Sequence, residues 1–458
     1  MTNLFHTLPP RGSFLYFIGI GGISMSSLAV LAHHLGYTVA GSDIGSNAQI
    51  SEMRQMGITV YPQHDPSQLQ NADAVIYTAA VSADNPELHS ARERGLPCLS
   101  RASFLGLLMR EYRVRIGISG THGKSTTTGM VSAIYLAAQA DPTIVSGAVM
   151  PESGLAYRIG CRDAFLFEAC EYTDSFLSFF PTTAVVLNVE LDHVDYFHSM
   201  EQLRTSFANY MNLSEIAVVN SDNSEICRIL EEHTPDCRIV RFGLHDKQAD
   251  FTASDLVYEK GCARFDFLYR GEKICRITLG VPGEHNVYDA LAAAAVAYVN
   301  GIPPQAIADG LAAFSGAARR FEYKGKLPCG AAVYDDYAHH PSEIRATLAA
   351  ARAVGGRVRC VFQPHSYSRT VALFDDFCAA FGDADEVIFT DIYINLEREH
   401  GAHRLTSADL AKAVKGARYY SDMTQIARYL CDTAREGDLI ILMGAGSIYR
   451  LREQLPLA

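Results

Sequence analysis

The chain has 458 residues, 48% of them apolar and 20% charged, which describes an ordinary globular protein of about three domains at roughly 150 residues each. A formal net charge of −12 argues against nucleic acid or an anionic membrane as the main partner. Eleven scattered cysteines without a C-x-x-C pair, no long apolar run and no charged-then-apolar start predict a cytoplasmic protein with reduced thiols and no membrane insertion.

The first third alternates. Strands are expected at 14–20, 38–40 and 74–77, and helices at 24–35, 50–56 and 86–94. Short turns between them imply a parallel sheet with helices on both faces. Gly19-Ile20-Gly21-Gly22-Ile23-Ser24 joins the first strand to the first helix, and Asp43 follows the second strand. Such glycines let a diphosphate approach a helix N-terminus. Gly19, Gly21, Gly22, Ser24 and Asp43 are therefore candidates for a nucleotide-diphosphate site. The pattern does not separate NAD from a nucleotide-sugar, and a plain packing turn is the alternative.

A boundary near 110–113 precedes a strand at 114–118, the run Gly120-Thr121-His122-Gly123-Lys124-Ser125-Thr126-Thr127-Thr128, and a helix at 130–138. Strand, tight turn and helix start form a phosphate cradle, in which backbone N–H groups and the helix dipole converge on an anion. Lys124 is placed to reach the β- and γ-phosphates and Ser125 to bind Mg²⁺, so ATP and Mg²⁺ are the expected cofactors. The general pattern has glycine where Ile118 stands; a Gly/Thr turn before a buried helix is the bland alternative.

A strand at 164–167 ends on Glu168, a hard oxygen donor suited to Mg²⁺, with Glu171 a weaker candidate three residues on. A strand at 184–188 runs into Asn188-Val189-Glu190-Leu191-Asp192-His193-Val194-Asp195, a second metal or substrate position in which His193 could coordinate. A hairpin is expected at 265–269 and 274–279 around Gly271, then an Ala-rich helix at 287–299. Gly283-Glu284-His285-Asn286 precedes that helix, and Asn286 could simply cap it. Residues 316–320 read as a linker carrying Arg319 and Arg320, whose planar forks suit oxyanions.

The last unit alternates again, with strands at 332–334, 359–362, 386–389 and 439–443 and helices at 342–352, 371–381, 407–415 and 423–434. Asp335-Asp336-Tyr337-Ala338-His339-His340-Pro341 and Gln363-Pro364-His365-Ser366-Tyr367-Ser368-Arg369 follow strands, where the active-site loops of such folds sit.

Taken together these residues resemble the Mur ligase family over essentially the whole chain. The resemblance rests on GIGGISMS at 19–26, GTHGKSTTT at 120–128, EACE at 168–171 and NVELDH at 188–193. It continues through GEHN at 283–286, RRFE at 319–322, DDYAHHP at 335–341, FQPHSYSRT at 362–370 and GAGSI at 444–448. It implies an α/β protein of three domains: an N-terminal Rossmann-like UDP-substrate domain (1–112), a central P-loop ATP-binding domain (113–318) and a C-terminal Rossmann-like closure domain (319–458). The GIGG, DDYxHHP and QPHxYxRT runs point to the branch that joins UDP-N-acetylmuramate to L-alanine through an acyl phosphate. A sister ligase with another acceptor and a non-catalytic nucleotide-binding paralogue are the other readings. A monomer or weak homodimer is expected.

The resemblance also implies roles. Gly120, Thr121, His122, Gly123, Lys124, Ser125 and Thr126 would hold ATP, with His285 and Asn286 on the adenine side and Arg319, Arg320 and Asp336 completing that set. Ser125, Glu168 and His193 would be metal ligands. Lys124, His193, His339, His340 and Arg369 would be catalytic, the last three holding L-alanine or steering its amine. Departures from the family pattern fall at Ser366, Ser447, Asp289 and the segment 394–405. No lysine lies between Lys124 and Lys247, so the carbamylated lysine of sister ligases has no counterpart there.

Overall fold

The computed structural model describes residues 7–78, 81–82, 84–149, 154–194, 196–394 and 405–458. Asp195 and almost all of the divergent 394–405 segment lie outside them. Three sheets organise the chain. The first has five strands in the order Thr59–Tyr61, Thr38–Ser42, Phe14–Ile18, Ala74–Tyr77, Cys98–Ser100, all parallel. Phe14–Ile18 stops before the expected residue 20 because the chain turns at Gly19, whose φ is 76°. Helix Arg101–Met109 was not anticipated. It is buried on nearly every side, so its sequence carries no 3.6-residue stripe. Its Gly106 lies so close to Ser178 that a Cβ would stand 2.0 Å from the Ser178 carbonyl oxygen.

The central sheet has ten strands among the described residues. The three strands read from the sequence are neighbours in it: Thr183–Val186, Val114–Ser119 and Ala164–Glu168 run parallel side by side. Their C-terminal ends therefore open together, which is what brings the Gly120 loop, Glu168 and the 188–194 loop into one place. The expected hairpin is longer than its apolar cores, Cys262–Tyr269 against Glu272–Pro282, and Phe251–Glu259 joins it as a third antiparallel strand. The Ala-rich helix spans Glu284–Val299. Gly283, not Asn286, is its N-cap; Asn286 is inside the first turn and donates to the Pro282 carbonyl at 2.7 Å.

The third sheet runs Glu322–Lys326, Ala332–Asp336, Asp438–Met443, Arg357–Phe362, Glu386–Phe389, Arg418–Tyr419. Only its first pair is antiparallel. The helix expected at 371–381 is two short helices, Tyr367–Ala372 and Phe374–Cys378, broken where Leu373 takes φ −115° and ψ 27°. The break lets Arg369 be buried against Asp192 of the central domain while Phe377 enters the C-terminal core.

The first two domains share one apolar cluster, with Leu15, Phe17 and Phe104 packed in the same body as Phe165, Phe176 and Val186. The apolar clusters of the C-terminal domain contain only its own residues. That domain meets the central one through ion pairs and hydrogen bonds and through helix Pro341–Val354, whose buried Ala350 lies against Gly283, without a common apolar core. All eleven cysteines are free thiols, and no helix among the described residues is long and apolar enough to cross a membrane.

Candidate active site

The phosphate cradle forms as its residue types require. Gly123 has φ 84° and is the N-cap of helix Lys124–Ala137. A Cβ there would lie 2.6 Å from Asp289 Oδ1, so only glycine fits both the backbone and the space. Asn188 clamps the loop from the next strand: its Oδ1 accepts the His122 N–H at 2.8 Å and its Nδ2 donates to the His122 carbonyl at 3.1 Å. Lys124 folds back over this nest. Its Nζ donates to the Gly120 and Thr121 carbonyls and pairs with Glu171 at 3.0 Å. Burial opposes its charge, yet Glu171 holds the ammonium pKa above the ordinary lysine value. Glu171, the weaker candidate in the sequence, is thus the counterion of the loop lysine.

Ser125 Oγ stands 3.1 Å from Glu168 Oε2, a hydroxyl and a carboxylate side by side at the helix start. Hard oxygen donors of this kind fit Mg²⁺. The other Glu168 oxygen is fixed by Ser146 Oγ at 2.9 Å and the Gly147 N–H at 2.7 Å. His193 takes the left-handed conformation, φ 51°, stacks on Tyr172 and lies 3.8 Å from Glu171 rather than pairing with Glu168.

The C-terminal domain reaches this end of the central sheet with three sets of contacts. Arg369 donates through Nε and Nη2 to Asp192 Oδ1 at 3.0 and 2.8 Å, a buried ion pair. Ser342 Oγ donates to Glu190 at 2.6 Å. Glu343 lies 3.2 Å from His122 Nδ1, 3.5 Å from Arg320 and 3.3 Å from His339. Burial favours the neutral acid of Glu343, but the charged His122 and Arg320 beside it hold it ionised well below the usual range. Burial works against a charged His122 too, yet Glu343 and Glu190 keep its pKa up at about 9. His339 differs. Burial pushes it down to about 3, so it is a neutral imidazole at physiological pH and a weak base for an ammonium substrate. His340 is lowered for the same reason.

His122, Gly123, Thr126, His285, Asn286, Arg320 and Asp336 line one cavity of about 600 Å³ between these domains. Burial pushes His285 down to about 4, so it faces the cavity uncharged. Asp336 is raised to about 6 by burial, and its oxygens take the Phe321 and Ala338 N–H groups at 2.7 and 2.8 Å. Arg319 is absent from the lining. It is spent on its own domain, sandwiched between the Tyr337 and Tyr449 rings and bonded to the Gly444 carbonyl at 2.6 Å. Of the two linker arginines only Arg320 faces the cavity.

Asp289, where the family pattern has Asn, accepts from Thr127 Oγ1 at 3.0 Å. Burial raises its pKa from 3.8 to about 7. A carboxyl harder to ionise folded than unfolded stabilises the fold only while protonated, so its contribution fades as pH climbs through that window. Asp289→Asn is expected to raise Tm more at pH 8 than at pH 5; an equal shift at both would contradict this reading. Ser366 takes φ 70° and its Oγ accepts the Arg369 N–H at 3.3 Å, capping the short helix that carries Arg369. Ser447 packs against Gln363, which accepts the Ile448 N–H at 2.9 Å.

In the first domain the Gly19–Ser24 turn lies at the C-terminal end of the sheet, where the strand order reverses beside Phe14–Ile18. Asp43 Oδ2 accepts the Gly21 N–H at 2.8 Å and Oδ1 the Gly45 N–H at 2.8 Å. A Cβ on Gly21 would meet that carboxylate at 2.8 Å. Asp43 therefore shapes the glycine turn directly.

Glu343 and Ser342 are not marked as site residues by the sequence, and Glu190 and Asp192 enter it only as members of the 188–195 run, without roles of their own. Glu343 had a signal: it stands three residues after His340 and accepts the His340 N–H, as the acid of a capping box does.

Comparison with known proteins agrees with this geometry. Residues 15–113 match the model of the Mur ligase family catalytic domain, 118–297 the Mur ligase middle domain and 319–446 the Mur ligase glutamate ligase domain. The UDP-N-acetylmuramate–L-alanine ligase of Acetivibrio thermocellus is 44% identical over 97% of this chain and 96% of its own. That of Caldanaerobacter subterraneus subsp. tengcongensis is 41% identical over 96% of each. The crystal structure of the UDP-N-acetylmuramate–alanine ligase of Thermotoga maritima superposes with a TM-score of 0.79 at 27% identity, over 96% of this chain and 97% of that one. A murein peptide ligase from Psychrobacter arcticus shares the fold, with a TM-score of 0.72 at 24% identity over 97% and 98% of the two chains. The three family models together span most of the chain and the relatives cover nearly its whole length, and the chain belongs to the Mur ligase family.

Proposed function

We propose that this chain is the ATP-dependent ligase that joins the carboxylate of UDP-N-acetylmuramate to the amine of L-alanine, giving ADP and phosphate, in peptidoglycan precursor synthesis. The observation that carries the reading is the meeting, at one end of the central sheet, of a phosphate nest, an adjacent Ser125–Glu168 pair and the buried Arg369–Asp192 bridge from the C-terminal domain. The full-length kinship with L-alanine ligases supports the acceptor. We divide the chain at 1–112, 113–318 and 319–458, and place it in the cytoplasm, where its free thiols suit a reducing compartment.

In this reading the muramoyl carboxylate oxygen attacks the γ-phosphorus of ATP, ADP leaves, and an acyl phosphate forms. Lys124 leaves Glu171 and the loop carbonyls to contact the transferring phosphoryl group. Mg²⁺ held by Ser125 and Glu168, with His193 toward a second ion, would neutralise charge developing on the phosphates. Gly120 to Thr126 hold the triphosphate through backbone N–H groups, His285 and Asn286 face the base, and Arg320 approaches from the hinge. The N-terminal glycines and Ser24 receive the uridine diphosphate, with Asp43 shaping their turn. The alanine nitrogen, as the free amine after loss of its ammonium proton to solvent, then attacks the acyl carbon, the carbon–oxygen bond to phosphate breaks, and the departing phosphate takes the further proton from nitrogen as the amide forms. Arg369 turns its Nη1, which lies 3.4 Å from the His365 carbonyl, to the amino-acid carboxylate, with His339 and His340 as neutral neighbours of the amine. Docking of the C-terminal domain excludes water from the acyl phosphate.

Phosphate release from ATP, UDP-N-acetylmuramate and Mg²⁺, assayed with each of the twenty amino acids, tests the acceptor. Release strongly dependent on L-alanine is expected. Release with a different amino acid, or only with a murein peptide, would replace this assignment by a sister ligase.

A further inference from the structure

The two histidines at the junction of the central and C-terminal domains have nitrogens that the ligase reaction leaves unused. His122 Nε2 and His340 Nε2 are buried and make no hydrogen bond. The rings are 4.8 Å apart and tilted by 38°. His122 Nδ1 lies 3.2 Å from Glu343 and its Nε2 faces Glu190 Oε2 at 3.4 Å, so a cation bound at Nε2 displaces the proton that these carboxylates hold on the ring. His340 Nδ1, whose lone pair takes the Ser342 N–H at 3.3 Å, lies 3.8 Å from the same Glu190 oxygen, so a cation there takes that lone pair in place of the helix-cap hydrogen bond. One ligand atom from each of His122, Glu190 and His340 falls within 4.8 Å of the others.

We propose that His122, Glu190 and His340 form a three-ligand site for a transition-metal dication of the Zn²⁺ type, which pins the C-terminal domain to the phosphate loop when nucleotide is absent. Ligand atoms around a tetrahedral Zn²⁺ with bonds of about 2.0–2.1 Å stand about 3.3–3.4 Å apart. The His122–Glu190 edge already has that length, at 3.4 Å, and the His340 edge, at 3.8 Å, closes with a shift of a few tenths. The outer contacts are those that orient metal ligands: Glu343 behind His122, and Ser342 Oγ holding Glu190 at 2.6 Å. Two imidazoles and one carboxylate select Zn²⁺ or Co²⁺ over Mg²⁺, which prefers an oxygen shell. His122 and Glu190 belong to the central domain and His340 to the C-terminal one, so the cation bridges the two. Because His122 and Glu190 also line the nucleotide cavity, a cation there occupies the mouth that ATP must pass.

The test uses the metal-free full chain without ATP or Mg²⁺ and Co²⁺ as a visible probe. A saturable one-to-one spectrum of four-coordinate Co²⁺, displaced by one equivalent of Zn²⁺, is expected. His340→Gln and Glu190→Gln should each weaken Co²⁺ binding by tenfold or more. His193→Ala and Glu232→Gln, which alter the Ser125–Glu168–His193 set and the more exposed Glu201–Glu232–His233 group, should leave it unchanged. X-ray absorption of the Zn²⁺-loaded wild type should show two imidazoles, a count independent of how any variant folds. No saturable spectrum, a single imidazole, or loss of binding in His193→Ala with retention in His340→Gln would overturn the proposal.

Discussion

Lys124→Ala is expected to lower kcat by about 10²–10³-fold, the scale for removing one preorganised charge contact from a transition state. The lysine is positioned for this before substrate arrives. Its ammonium is buried, charged and tied to Glu171 and two loop carbonyls at the rim of the nest. Glu171 has then to be left behind as Lys124 turns to the phosphoryl group. Glu171→Gln should accordingly change the apparent KM for ATP more than kcat, since it removes the ground-state partner rather than the transition-state contact. Steady-state phosphate release with both substrates saturating measures the Lys124 effect. Turnover within a few-fold of wild type in Lys124→Ala would remove this residue from the chemistry.

Arg369→Ala is expected to reduce kcat/KM for the amino acid by about 10²–10³-fold, because breaking one side of a buried ion pair costs about 3–5 kcal/mol. Asp192 is left buried without its partner, its pKa otherwise held far below the usual range, against burial, by Arg369. The C-terminal domain has no shared apolar core with the central one, so this bridge, with Ser342–Glu190 and Glu343–His122, helps hold it docked. Two effects are therefore expected together: the kinetic loss and a larger radius of gyration in solution scattering. Asp192→Asn combined with Arg369→Ala should be less than additive relative to the single changes. Full additivity, or an unchanged radius, would show that Arg369 acts on the amino acid alone.

What the sequence made legible was contiguous. The loop from Gly120 to Thr128, the glycine turn at 19–24 and the DDYAHHP run each carry their chemistry within one short stretch, after a strand and before a helix. Their strand neighbours could be placed because parallel sheets gather strand C-termini at one edge. Pairings across domains left no local trace: Arg369 and Asp192 are 177 residues apart, and Ser342 and Glu190 are 152 apart. Helix Arg101–Met109 escaped because burial on all sides erased its amphipathic period. The break at Leu373 escaped because a helical pattern continues across it, although the two halves face different partners. Arg319 and Arg320 look alike in the linker, and only the aromatic sandwich around Arg319 separates their roles.

In the proposed reaction the muramoyl carboxylate is activated by phosphorylation before the amine attacks. UDP-N-acetylmuramate labelled with ¹⁸O in that carboxylate, turned over with ATP, Mg²⁺ and L-alanine, tests it directly. One labelled oxygen should appear in each phosphate released and one should stay in the amide. Phosphate free of label, with the amide still formed, would contradict an acyl phosphate and the mechanism built on it.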